Sequence, residues 1–289
     1  MPGRGRDPAT AQPVGRRVVA GALLAVALVA CAPGPAEPAA GGAPAEPASV
    51  RILQANLCNS GIAGCYTGRS VEAAARVLRA DPPDAVTLNE VCRADVVALQ
   101  RALGAGATSA FQPARDRATG GPYRCADGDE YGIGVLARSS SSVVSTGIHP
   151  TQDPDDPEER AWLCLDTATA GGPLGVCTSH LAYTDRAVTL AQCRYLFGTV
   201  VTGLRDRRDA GPVVVGADLN LGSADDPGLR SCVPAGAVPA AEDGVQHVVV
   251  IPSVAAARSR TVDLGGTTDH PALLVTVRPS AQRRRSAAA

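Results

Sequence analysis

The sequence predicts an α/β sandwich, and three observations carry that expectation. Short apolar runs of strand length outnumber stretches with helical periodicity. The helical stretches fall between some of the strands, as in layered α/β domains. Hydrophobic residues make up 45% of the chain, enough for a sizeable core, but aromatics only 3%, so that core is aliphatic. A length of 289 residues allows one large domain or two small ones.

Taken in order, Val50 to Leu57 reads as a first strand. Ser70 offers an N-cap, and Val71, Ala74 and Leu78 recur at helical spacing before Pro82-Pro83 stops the helix. Ala85 to Leu88 is a short strand, followed by a helix with Val96, Leu99 and Leu103 on one face. Tyr131 to Ala137 is a strand. The run DPDDPEE at 153–159 reads as a solvated acidic loop; a calcium loop is the alternative, without the usual ligand spacing. Arg160–Ala168 and Leu174–Leu181 make a hairpin around Gly171-Gly172. Thr184 or Asp185 caps a long helix whose buried stripe is Leu190, Cys193, Phe197, Val201 and Leu204. The run PVVVGADLNLG at 212–222 is a buried strand, and further strands fall near 245–251 and 271–277. No internal repeat is visible.

The two ends read as separate from the domain, which is expected over 49–278. Arg4, Arg6, Arg16 and Arg17 precede an apolar segment, Val18 to Ala30, too short to span a bilayer. It closes on Leu28-Val29-Ala30-Cys31, the pattern of a bacterial lipoprotein signal over residues 1–31, with Cys31 lipidated after cleavage. An ordinary secretory peptide is the alternative. Residues 32–48 are Pro, Ala, Gly and Glu without periodicity, a flexible tether to a membrane surface. Residues 279–289 form an Arg-rich disordered tail. The expected localisation is outside the cell membrane, anchored or secreted, as a monomer. Cysteine usage agrees with export: beyond Cys31 there are Cys58, Cys65, Cys92, Cys125, Cys164, Cys177, Cys193 and Cys232, an even set. Eight cysteines allow 105 pairings, and two have a physical reason. Cys58 and Cys65 flank a short Gly-containing loop, and Cys164 and Cys177 sit symmetrically about the hairpin turn. No CxxC spacing points to zinc.

The chain has no lysine, and without residues 1–31 it carries 23 basic against 27 acidic residues, a net of −4. That argues against a strong general affinity for nucleic acid, which rests on neutralising phosphates.

Polar residues recur at the strand ends. Asn56 ends the first strand, Glu90 the second, His180 the hairpin, and Asp218 and Asn220 the 212–222 run, while Asp269 and His270 open the last strand. Any one of these is most often a turn former or a solvated side chain. Together they supply oxygen ligands suited to Mg²⁺ or Mn²⁺, and histidines able to hold a phosphoryl group and move protons. Phosphate-ester hydrolysis needs these parts.

The order Asn56, Glu90, Tyr131-Gly132, Ser179-His180-Leu181, Gly216-Ala217-Asp218-Leu219-Asn220, Gln246-His247 and Asp269-His270 resembles the endonuclease/exonuclease/phosphatase superfamily. That superfamily includes pancreatic-type deoxyribonucleases, abasic-site endonucleases, bacterial sphingomyelinases and inositol polyphosphate 5-phosphatases. The resemblance spans roughly residues 50–278. It implies a four-layer sandwich of two packed mixed β-sheets flanked by helices. It also implies a metal at Glu90, Asn56 and Asp269, and catalytic roles for His180, Asp218, Asn220 and His270. Tyr131 and Arg160 fall where some members contact phosphate. The substrate implied is a phosphoester: nucleic acid, a phospholipid headgroup or a small phosphate ester. The chain departs from the family pattern where an Asp usually orients the second histidine; Gln246 stands there. A carboxamide can fix the tautomer without adding charge, so Gln246 is expected to orient His270 and leave it less basic than in relatives. His247, one residue on, is expected to face away from the site.

Overall fold

The computed structural model describes residues 48–207, 211–242, 244–251 and 256–278. The signal segment with Cys31, nearly all of the expected tether and the 279–289 tail lie outside the described residues. Two six-stranded sheets are stacked face to face. The first runs β13 (Ala256–Val262), β14 (Ala272–Arg278), β1 (Val50–Asn56), β2 (Ala85–Cys92), β5 (Tyr131–Ala137), β3 (Thr108–Pro113). The second runs β11 (Val238–Ala241), β12 (Gln246–Ile251), β10 (Val213–Asp218), β9 (Gly172–Ser179), β8 (Ala161–Thr169), β6 (Ser141–Ile148). A two-stranded ribbon, β4 (Arg115–Asp116) with β7 (Glu158–Glu159), sits outside both. Each sheet holds one parallel pair at its centre, β1 with β2 and β9 with β10, and is otherwise antiparallel.

Three apolar layers follow from the alternation of side chains along the strands. Ile52, Val135, Leu163, Val176, Val214 and Val275 pack between the sheets. The outer face of the first sheet is covered by α1 (Ser70–Ala80) and α2 (Arg93–Leu103) through Leu78, Val96 and Leu99. The outer face of the second is covered by α3 (Arg186–Tyr195), a π-helical turn (Leu196–Val201) and α4 (Thr202–Arg205), one unbroken helical stretch. Its stripe of Leu190, Cys193, Phe197, Val201 and Leu204 is buried as the spacing predicts. This is the four-layer sandwich.

Local chemistry sets several boundaries. The carboxylate of Asp185 accepts from the backbone N–H groups of Ala187 and Val188, so Asp185, not Thr184, caps α3. Ser70 is the first residue of α1 and not its cap; its hydroxyl turns to Asn59. The hairpin pairs Cys164 directly opposite Cys177, and a disulfide joins them. Cys58–Cys65, Cys92–Cys125 and Cys193–Cys232 complete the set of described disulfides. Gly216 is required by close approach: a Cβ there would lie 2.1 Å from Thr87 Oγ1 of the facing sheet. The second strand continues past Leu88 to Cys92 through a bulge. The last begins at Ala272, which leaves Asp269 and His270 in the preceding loop. No helix of the described residues is long and apolar enough to cross a membrane.

Candidate active site

The four central parallel strands, two from each sheet, end at the same edge of the sandwich, and the chain places its polar residues there. Asn56 closes β1, Glu90 lies in the bulge of β2, His180 follows β9 and Asp218 closes β10. An isolated parallel bridge ties His180 to Asp218. These residues, with Asn220, Tyr131, Arg160, Asp269 and His270, line one cavity of about 380 Å³. The three described non-glycine residues with left-handed backbone, Cys58 (φ 44°), Glu90 (φ 53°) and Asn220 (φ 49°), all lie at this edge. Such conformations persist where the surroundings over-determine them, as the bulge and disulfide do here.

A buried amide network holds the edge together across the two sheets. Gln54 donates to Asn89 Oδ1 at 2.7 Å and to Gln246 Oε1 at 3.2 Å, and accepts from Thr87 Oγ1 at 2.5 Å. Asn89 Oδ1 also accepts from the Asp218 backbone N–H (2.8 Å), and its Nδ2 donates to Ser179 O (3.0 Å). Asn56 sits above it. Its Oδ1 accepts from the Cys58 backbone N–H at 3.0 Å, which turns its Nδ2 toward the site. That nitrogen donates to Glu90 Oε1 at 2.8 Å and to Asp218 Oδ2 at 3.1 Å. Asn56 is therefore a bridge between two carboxylates through its nitrogen, while its oxygen accepts one backbone hydrogen bond.

Glu90 and Asp218 are both pushed above the usual carboxylate range, first by burial and then by nearby negative charge: for Glu90 that of Asp218 and Asp269, for Asp218 that of Glu242. Asn220 donates its backbone N–H to Asp218 Oδ1 (3.2 Å) and its Nδ2 to Leu181 O (2.8 Å), leaving its Oδ1 as the remaining polar atom. Asp269 is half exposed at the mouth, beside the Cys58–Cys65 disulfide. Carboxylate oxygens suit a hard divalent cation, and Glu90 in the wall and Asp269 at the mouth offer them to the same cavity.

The two histidines face opposite partners. His180 Nδ1 is 2.8 Å from Arg160 Nη1, and its Nε2 is 3.9 Å from Glu90 Oε1. Burial, then the charges of Arg160 and His270, push His180 well below its ordinary value, so it is neutral. His270 Nδ1 lies 3.3 Å from Glu242 Oε1, and Asp269 lies 3.8 Å from its Nε2. The hydrogen bond to Glu242 raises His270 to about 9, against the cost of desolvation and with help from Asp218 and Asp269.

One expectation is corrected here. Gln246 does not orient His270: its Oε1 takes the Asn56 backbone N–H (2.8 Å) and its Nε2 goes to Pro271 O (3.1 Å). Glu242, at the end of β11, supplies a carboxylate there and raises His270 above its ordinary value. Arg160 reaches the cavity, but its guanidinium is held by Asp156 (2.8 Å), Glu158 (3.3 Å) and His180, which makes it part of the wall. Tyr131 is buried in that wall, where burial and then the charge of Glu158 raise its hydroxyl well above the ordinary value. His247 faces Leu221 O and stays out of the cavity, as expected. Glu242, Asp156, Glu158, Gln54 and Asn89 carry no strand-end signal in the sequence. Only Asn89, beside Glu90, is close to a motif.

Residues 53–272 match the family model described as the endonuclease/exonuclease/phosphatase family. The chain belongs to this family. Solved structures agree on the family fold. TDP2 of Caenorhabditis elegans is 15% identical, with 81% of this chain and 99% of that one covered at a TM-score of 0.59. The mannosyl-6-phosphatase Bt3783 of Bacteroides thetaiotaomicron is 13% identical over 79% and 99% of the two chains, TM-score 0.54. TDP2 of D. rerio, solved with a single-strand DNA product, is 17% identical over 79% and 98%, TM-score 0.54. No curated protein matches by sequence.

Proposed function

We propose that the chain is an exported, divalent-metal-dependent phosphoester hydrolase. The observation that carries this reading is Asn56 Nδ2 bridging Glu90 and Asp218, with Asn220, His180, Asp269 and His270 on the same cavity. Glu90 and Asp269 would hold Mg²⁺ or Mn²⁺, which would supply positive charge to the phosphoryl oxygens. His270, as imidazolium, binds the phosphate. His180 donates a neutral N–H to a second phosphoryl oxygen. Asp218, desolvated and braced by Asn56 and Asn220, accepts a proton from the attacking water, which Asn220 Oδ1 helps to orient.

Five carboxylates line the cavity (Glu90, Asp156, Glu158, Asp218, Asp269) against one arginine, Arg160. Several other arginines are paired with carboxylates: Arg93 with Glu130, Arg115 and Arg117 with Glu159, and Arg186 with Asp225. That balance favours a compact phosphoester over a polynucleotide, which needs a basic track. The four described disulfides support export, and the Cys31 motif supports a lipid anchor.

The test is an ester-cleavage screen of the disulfide-bonded protein with Mg²⁺, reading strand scission of plasmid DNA and RNA, phosphocholine release from sphingomyelin, and inorganic phosphate release from inositol phosphates and sugar phosphates. Turnover lost on chelation, restored by Mg²⁺ and absent in Asp218→Asn is the expected result. Failure on every ester under these conditions would leave a binding module on this fold.

A further inference from the structure

The acidic loop at 153–159 looks solvated in the sequence, but the structure buries its key members. Asp156 and Arg160 are 7% and 3% exposed at their side chains, and Glu158 is 13% exposed. Arg160 Nη2 donates to Asp156 Oδ2 at 2.8 Å, and Nη1 lies 3.3 Å from Glu158 Oε1. The backbone is pinned as well: Arg160 N–H donates to Gln152 Oε1 (2.8 Å), and Gln152 Nε2 returns to Arg160 O (2.9 Å). Arg117 and Thr184 tie the loop down through Asp153. The ring of Tyr183 stands over the guanidinium, 5.6 Å from Cζ to centroid.

So held, Arg160 Nη1 reaches His180 Nδ1 at 2.8 Å. A guanidinium has donors and no acceptor and keeps its charge in proteins. Nδ1 must therefore be the acceptor. In a neutral ring the proton then sits on Nε2, the nitrogen on the Glu90 side.

We propose that Arg160, clamped by Asp156 and Glu158, is a positioning residue that locks His180 in the Nε2–H form, so that His180 serves as a fixed hydrogen-bond donor to the phosphoryl group. The proposal rests on the hydrolase reading for the phosphoryl group, but not for the tautomer. It also gives the acidic loop its purpose: two carboxylates that allow a guanidinium to be buried beside an imidazole.

The first measurement needs neither turnover nor a substitution that disturbs the fold. Long-range ¹H–¹⁵N correlation on histidine-labelled wild-type protein, with and without Mg²⁺, reads which ring nitrogen of His180 carries the proton. Disappearance of the signal in His180→Gln assigns it. A bare Nδ1 and a protonated Nε2 are expected; a proton on Nδ1, or averaging between the two, overturns the lock. The second measurement is kinetic. Glutamine places an amide nitrogen near the position of Nε2 and asparagine near that of Nδ1. His180→Gln should keep kcat within about tenfold of wild type, while His180→Asn loses about 10²-fold. Equal losses overturn the donor role. Arg160→Met should lose about 10²-fold in kcat with KM little changed, and Arg160→Lys should recover most of it. Should no ester be cleaved by any form, the hydrolase reading falls while the tautomer measurement still decides the lock.

Discussion

His180 and His270 line one cavity, one from each sheet's territory, and are set to different charge states, the first by burial and then Arg160, the second by Glu242. His180 follows β9 and meets a buried arginine; His270 precedes β14 and meets a buried glutamate. The first is neutral, and the second is raised to about 9. The residue type alone says nothing of this. What decides it is how deeply the ring is buried and which side chain a distant loop delivers: Arg160 from behind the acidic run, Glu242 from the end of an edge strand. On the proposed reading, a cation and a neutral donor on one phosphate would divide the work, since His270 can offset charge and His180 can only direct a hydrogen bond.

The comparison can be broken most severely at the cationic side. His270→Ala removes both charge and donor and should lower kcat by about 10³-fold, measured by steady-state phosphate release. His180→Ala should cost less, about 10²-fold, because only a neutral donor is lost. Glu242→Gln sharpens the contrast. Without the bond to Glu242, His270 should fall back toward its ordinary value, seen as an earlier midpoint in an NMR titration, with activity at pH about 8 down about tenfold. The sign also holds for stability. A raised histidine stabilises the fold fully below its unfolded value, and that contribution is lost as pH rises through about 9; Glu242→Gln should flatten this slope in thermal melts. Gln246→Asp, in contrast, should leave the His270 midpoint where it is. It should cost about 1–3 kcal/mol in denaturant unfolding, because the shorter side chain leaves the Asn56 N–H without its acceptor and removes one of the two acceptors of Gln54 Nε2.

The two halves also differ in how much the sequence reveals. Asp218, Asn220 and Glu90 were legible because each ends or kinks an apolar strand, where a polar residue stands out. The central strands and the α3 stripe were legible for the same reason of period. Glu242 was not: it lies in a Pro- and Ala-rich stretch and meets His270 only through the packing of a loop against an edge strand. Asp156 and Glu158 were read as solvated because composition cannot show that Arg160 is buried among them. Gln246 was assigned by its position in a motif, but a side chain with both a donor and an acceptor goes where the backbone leaves partners. Here those are the Asn56 N–H and Pro271 O.

The most direct test of the account is the pH dependence of Mg²⁺-supported phosphoester cleavage by the wild-type enzyme. Activity should hold through neutrality and fall on the alkaline side with a midpoint at about 9, where His270 loses its proton. A fall centred near about 6.5, the value of an unperturbed histidine, or cleavage that survives chelation, would contradict it.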